Sequence, residues 1–355
     1  MFHNMRNVSK NGTKLEQTAI DLVRKRLPLN WNVQLRTEKE KQLLSIKAPN
    51  GKKVGFLIIA RKNVSPKDIS NLLQGLDCAN VLLTARFLSP RSCELIAQFG
   101  ANFVDATGNL KLVAGDPAIY LESKGEAQDP QRQKRELKSL KGAAAARVVR
   151  ALCDFLPPYG VRTLAEIAPS PLGTASRVVT LLEEEALLTR DEKKQIVAVD
   201  WPSLIARWAR DYNVMTSNRV TTYLEPRSLP TLMAKLKKLG RYAVTGSIPG
   251  PGIAPARLGM IYVDDAESAA QTLELTPTET GANVWLLEPY DEVVFERIQL
   301  LPATSTPDAK PIVSVAMSQL AVDLMTSPGR GPQEAQAHIE QMKGTELVWR
   351  KQTRS

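Results

Sequence analysis

Apolar residues fall at helical spacing over residues 13–27, where Leu15, Ala19, Leu22, Val23 and Leu27 share a face before Pro28. The period then shortens. Residues 33–36 and 42–48 read as strands, Asn50-Gly51 supplies a hairpin turn, and residues 54–60 form an apolar run. A helix over 66–76, a strand over 80–84, a helix over 89–99 and a strand over 102–105 follow. Short strands over 110–113 and 118–122 complete an α/β domain expected within residues 1–125. Residues 126–140 are charged, polar and without periodicity, which reads as a linker.

Residues 141–155 predict a strong helix with Ala144, Val148, Val149, Leu152 and Phe155 on its apolar stripe, stopped by Pro157-Pro158. From 160 to 200 the order is a short helix, a Pro/Gly-broken turn, an amphipathic helix and a basic hairpin. That order is a winged helix-turn-helix, expected as a domain over residues 141–200. A helix over 201–212 follows, with Asp200 as its cap and Pro202 near its start. The remainder, residues 201–355, reads as a C-terminal α/β domain. Its strands are expected over 220–224, 242–245, 257–263 and 283–287, and its helices over 228–239, 266–273, 314–325 and 332–342. A Pro-rich loop is expected over 302–311 and a Gly-Arg-Gly turn at 329–331. The fold class expected is therefore multidomain α/β with a central winged helix.

In the second helix of the winged segment, Ala175, Val178, Val179 and Leu182 follow the 3.6-residue period and face the core. Thr174, Ser176, Arg177 and Thr180 are left outside near the N-terminal end, where recognition helices reach base edges. Arg177 can meet a guanine with two hydrogen bonds, and the hydroxyls suit bases or phosphates. Arg190, Lys193 and Lys194 are expected in the wing turn, where a phosphate contact and a merely solvated tip fit Lys193 and Lys194 equally. Glu183, Glu184 and Glu185 end the helix, where the chain leaves the groove. A winged helix used for protein contacts is the alternative.

The formal charge is +10 and uneven. Residues 1–125 carry 19 Lys and Arg against 10 Asp and Glu, while residues 201–355 carry 16 of each. A basic surface favours polyanions without choosing among them. Cys78, Cys93 and Cys153 sit at no ligand spacing, which suits reduced thiols in a cytoplasmic protein. His3 and His338 are the only histidines, so zinc sites and Ser/His/Asp hydrolysis have almost no material. No apolar run approaches the ~18 residues of a membrane span, and the first residues show no apolar signal region. Neither a cofactor nor a metal is implied.

Two stretches offer weak enzyme readings. The N-terminal domain resembles the restriction-endonuclease-like fold, whose active members hold magnesium with an Asp on one strand and a Glu-x-Lys on the next. Lys62 is present here, but Ala60 stands at the carboxylate position and residues 43–47 offer no Asp. Glu16 alone cannot satisfy a cation that wants several oxygens. A degenerate scaffold is expected, with a divergent metal-dependent endonuclease as the alternative. Thr245-Gly246-Ser247 with Asp264-Asp265 faintly resembles nucleotidyltransferases. Adjacent strand residues point to opposite faces, so a turn and a strand-ending acidic pair are expected instead. Asp105, before Gly108-Asn109, is expected to bond backbone donors in a structural corner.

The segments DATGNLKL (105–112), GTASRVVTLLEEEALL (173–188) running into VDWPSLIARWARDY (199–212), YAVTGS (242–247) and SQLAVDLMTSPGRGPQEAQAHI (318–339) resemble, in that order, the AbiEi-type antitoxins of type IV toxin–antitoxin systems. The resemblance implies a repressor that binds double-stranded DNA at its own promoter through a winged helix. It also implies a nucleotidyltransferase toxin countered without a stable complex, and no catalysis by this chain. Many members place the winged helix at the N-terminus, whereas here an α/β domain precedes it. A protein-interaction module without DNA binding is a further alternative. Arg330, between two glycines, fits either a DNA or partner contact or a helix connector pairing with an acid such as Asp323.

Overall fold

A computed structural model describes residues 10–38, 41–130, 139–247, 258–301 and 311–353. The expected Pro-rich loop falls almost wholly outside these, as do most of the linker and the segment after Ser247. The chain is mixed α/β and divides into two compact units, residues 1–137 with 184–186, and residues 138–183 with 187–355.

In the first unit, α1 (Lys10–Arg24) precedes three antiparallel strands, β1 (Asn32–Glu38), β2 (Lys41–Lys47) and β3 (Lys53–Arg61). Then come α2 (Pro66–Leu73), β4 (Val81–Ala85), α3 (Pro90–Gln98), β5 (Asn102–Asp105), β6 (Leu110–Ala114) and β7 (Ile119–Ser123). The seven strands lie side by side in chain order, with β3, β4 and β5 parallel and the outer pairs antiparallel. Alternation sorts the side chains into two cores. Leu44, Phe56, Ile58, Leu82 and Val104 pack with Ala19, Ile20 and Val23 of α1, while Leu57, Leu83 and Phe103 pack with Ile69 of α2 and Ile96 of α3. Short-range chemistry sets the ends. Gly51 has φ +86° in the β2–β3 turn, and the Ser89 side chain accepts from the Ser92 amide at the start of α3. Asp105 is buried and accepts from the amides of Leu88, Thr107 and Asn109, which builds the expected corner.

The second unit opens with α4 (Ala143–Asp154), β8 (Phe155–Leu156), α5 (Val161–Ile167), α6 (Leu172–Glu184) and the hairpin β9 (Leu188–Arg190) with β10 (Ile196–Val199). Next are α7 (Trp201–Trp208), α8 (Val214–Ser217), β11 (Arg219–Leu224), α9 (Leu229–Lys235), β12 (Tyr242–Thr245), β13 (Gly259–Val263), α10 (Ala266–Leu273), β14 (Thr276–Pro277) and β15 (Val284–Glu288). The end is β16 (Gln299–Leu301), β17 (Ile312–Ser314), α11 (Met317–Thr326), α12 (Gly331–Gly344), α13 (Glu346–Trp349) and β18 (Lys351–Gln352). A second seven-stranded sheet runs β14-β11-β15-β13-β12-β17-β16. One face packs α9 and α10 through Val244, Ile261 and Leu286; the other, through Ala243, Met260 and Tyr262, joins a core shared by α4, α5, α6, α7 and α11.

That shared core changes the expected organisation. The boundary at residue 200 separates no two cores, because α4 is buried on nearly every side, Arg150 and Asp154 included. Two expectations for the last residues also shift. Ser314 ends strand β17, so the helix expected from 314 starts at Met317. Asp323 does not pair with Arg330: it is fully buried among neutral donors, and Arg330 lies 3.8 Å from Glu334. Gly331 is required by space, since a Cβ there would lie 2.6 Å from the Leu324 carbonyl oxygen.

Candidate nucleic-acid interface

Helix α6 is amphipathic because its apolar residues recur every three to four positions. Ala175, Val178, Val179 and Leu182 are buried, while Ser176, Arg177 and Thr180 are exposed and Thr174 is half-buried. Side chains on a helix lean toward its N-terminus. Arg177 does so, its Nε donating to the Gly173 carbonyl at 3.2 Å and its Nη2 to Thr174 Oγ1 at 3.3 Å. Its guanidinium thereby lies over the first turn of the helix, beside the Thr174 hydroxyl.

The turn between α5 and α6 is fixed from α4. Arg147 donates from Nη1 to the Pro169 carbonyl at 2.8 Å, and its Nε and Nη2 grip Asp291 at 2.7–3.1 Å. The hairpin behind α6 gains a third segment at Tyr159, which exchanges both backbone hydrogen bonds with Ile196. Its tip is tight: the Lys194 amide donates to the Asp191 carbonyl, the Gln195 amide to Asp191 Oδ1, and Lys194 takes a left-handed φ of +63°. Lys193 and Lys194 are exposed there. Arg190 is placed differently from expectation. It ends β9 rather than lying in the turn, and its guanidinium is held by the Glu183 carboxylate, leaving 18% of the side chain exposed. The register of the hairpin and the reach of Glu183 decide this; neither is visible in the local spacing.

Behind this surface runs a buried polar network that the sequence did not reveal. Arg150 Nη1 donates to Gln319 Oε1 at 2.9 Å, and its Nη2 to Asp154 Oδ2 at 3.3 Å. Asp154 also receives Arg297 Nε at 2.7 Å and the Ser318 hydroxyl. Burial alone would raise the Asp154 carboxyl, but Arg150 and Arg297 outweigh it and hold the group below the usual aspartate range. Gln319 Nε2 donates to Asp323 Oδ1 at 2.8 Å. Asp323 further accepts from Tyr212 at 2.8 Å, Thr245 at 2.6 Å and Tyr262 at 3.0 Å. Burial dominates those hydrogen bonds and pushes the Asp323 carboxyl up to about 6. The i, i+4 spacing of Arg150 and Asp154 was a legible signal; their partners, some 140 to 170 residues away, were not.

The turn and the acidic pair of the nucleotidyltransferase-like reading are engaged elsewhere. Asp265 caps α10 by accepting from the Ser268 amide at 2.7 Å, and Asp264 pairs with Arg241. Ser247 donates to Glu334, and a Cβ at Gly246 would lie 2.7 Å from Met260 Sδ. Lys62 follows the end of β3 and is exposed, with Ala60 half-buried. Among the described residues no three His, Cys, Asp or Glu side chains come together so as to hold a metal ion, and no helix is long and apolar enough to cross a membrane. Compared with protein-family models, curated proteins and solved structures, the chain matches none.

Proposed function

We propose that this protein is a double-stranded-DNA-binding transcriptional repressor, with residues 141–200 acting as a winged helix-turn-helix. The observation that carries the reading is the solvent face of α6. Its apolar side is consumed by the core, while Thr174, Ser176, Arg177 and Thr180 form a polar strip at the end that recognition helices present to the major groove. Arg177 reads a base, the hydroxyls position the helix on bases or phosphates, and Lys193 and Lys194 touch the backbone from the hairpin tip. Arg190 supports the wing through Glu183 rather than meeting phosphate. The basic N-terminal third adds attraction to polyanions that is independent of sequence. Together with the resemblance to AbiEi-type antitoxins, this makes the target the promoter of its own operon. A nucleotidyltransferase toxin is then the activity countered, without a stable complex and without catalysis by this chain.

Fluorescence anisotropy on the duplex upstream of the gene tests the reading. Specific binding should exceed binding to a random duplex, and Arg177→Ala should lose ~1–3 kcal/mol on the specific duplex while relaxing preference at one base pair. Equal losses on both duplexes, or no binding by the wild type, would sink the assignment.

A further inference from the structure

Alternation gives the first sheet two faces, and β1–β3 are covered on only one of them. Toward α1, Val33, Leu44, Ile46, Phe56 and Ile58 are buried. On the opposite face α2 and α3 pack against Leu57 and Ile59 of β3, and the sheet beyond them lies open. A Cβ added at Gly55 would meet nothing within 4 Å. The register lays out this open area: Arg36 stands opposite Leu43, Gln34 opposite Ser45, Ser45 opposite Gly55, and Lys47 opposite Lys53. Lys41 shares the face two residues before Leu43. Its charge is positive and unneutralised. Arg36, Lys41, Lys47 and Lys53 are exposed, and among the described residues none of them pairs with a carboxylate. Glu38, across from Lys41, is the one acid in the three strands, and Asp116 near the β2–β3 turn is already held by Lys52.

The spacing suits a polyphosphate. Lys41 and Lys47 are six strand residues apart, ~20 Å at ~3.4 Å each, which is the rise of about six nucleotides along one strand of a duplex. Arg36 flanks that line on β1 and Lys53 on β3, each about one strand spacing of ~4.8 Å away. Gln34 and Ser45 lie between the cations, and such side chains bond phosphate oxygens. The chemistry missing from the face selects among polyanions. Single strands are held by stacking bases on aromatic rings, and none of the outward positions on these strands is aromatic. Protein interfaces are centred on apolar or aromatic anchors, whereas Leu43 is half-buried among the cations. We infer that the open face of β1–β3 binds the phosphate backbone of double-stranded DNA, independently of sequence, through Arg36, Lys41, Lys47 and Lys53. This gives the attraction of the basic N-terminal third a definite surface, and it stands whether or not α6 reads a base.

The full-length chain titrated by fluorescence anisotropy with a random duplex, and with a single strand of the same length, over a range of salt concentrations tests the surface. The triple variant Arg36→Gln, Lys47→Gln, Lys53→Gln changes only exposed side chains. It should weaken random-duplex binding about tenfold and lower the salt slope by ~2–3, with an unchanged circular dichroism spectrum. A control variant, Lys124→Gln, Lys237→Gln, Lys351→Gln, removes the same charge from exposed positions elsewhere. At ~0.1 M salt, where charges beyond ~10 Å are screened, it should lose less than about threefold. Equal losses in the two triple variants, an unchanged salt slope, or a single strand held more tightly than the duplex overturns the surface. A background of Arg177→Ala, Lys193→Ala and Lys194→Ala separates it from α6. Random-duplex binding should persist there and disappear when the face variant is added. Loss of all binding in that background overturns the surface and leaves the reading of α6, whereas undiminished binding to the upstream duplex overturns α6 and leaves the surface.

Discussion

Helices α4 and α6 both carry arginines and both contribute to one core, yet they use their polar residues in opposite directions. In α4, Arg150 and Asp154 point inward and are fully engaged, by each other and by residues from the far end of the chain. In α6 the apolar residues take every inward position, and among the described residues Arg177 bonds within its own helix, to Gly173 and Thr174. A buried charge must find its partners within the fold, because leaving it unpaired is strongly unfavourable. An exposed arginine bonded only to a neighbouring hydroxyl and carbonyl can exchange those bonds for a ligand at little loss. The first helix is thus an anchor and the second a surface available for recognition.

The sharpest way to break this contrast is at Asp154. Asp154→Ala leaves Arg150 and Arg297 buried without their carboxylate and should destabilise the fold by ~3–5 kcal/mol, measured by urea unfolding. A loss below ~1 kcal/mol, the scale of an exposed pair, would mean that α4 is no anchor.

Acidity separates the two buried carboxylates themselves. Asp323 is raised to about 6 by burial, so the folded chain holds its proton more tightly than the unfolded one. That stabilisation is complete below the ordinary aspartate range and lost as pH rises through about 6. Asp154 is depressed, so its contribution is present above the ordinary range and lost as pH falls through its lowered value. Between pH ~4 and ~7, rising pH should therefore destabilise the wild type relative to Asp323→Asn and not relative to Asp154→Asn. Parallel unfolding curves for wild type and Asp323→Asn across that range would contradict the assigned environment.

On α6 the expected effect on stability is small. Arg177→Ala should change unfolding free energy by no more than ~0.5 kcal/mol, as for other exposed positions, while DNA affinity falls as stated above. A large stability loss would show that Arg177 is structural. The smallest effect belongs to the hairpin tip. Lys193→Ala should weaken all duplexes alike and reduce the salt slope of binding by about 1. Arg190→Ala should leave the salt slope unchanged, since Glu183 already holds that guanidinium.

The first sheet was legible almost strand by strand, because alternation of apolar residues along a strand is itself the burial pattern. Leu57 and Ile58 are neighbours in sequence and enter different cores for that reason alone. Local chemistry was equally readable: Asp200 caps α7 and Asp105 builds its corner, both through donors a few residues away. The outward row of α6 was legible by the same logic of period. Arg190 was not, since its partner depends on how the hairpin meets the end of α6.

Sequence by itself thus determined what depends on neighbours in the chain: periods, caps, the Asn50-Gly51 turn and the outward polar row of Thr174, Ser176, Arg177 and Thr180. Tertiary structure alone decided what depends on distant segments. Strand β17 joins β12 where Val244 meets Ser314, Asp154 finds Arg297 and Ser318, and Asp323 takes Tyr212, Thr245, Tyr262 and Gln319 instead of Arg330. The physical reason is that burial periodicity is written into each segment, whereas the partner of a buried polar group is chosen by packing. A short strand or a lone aspartate carries no local mark of where the chain will bring its complement.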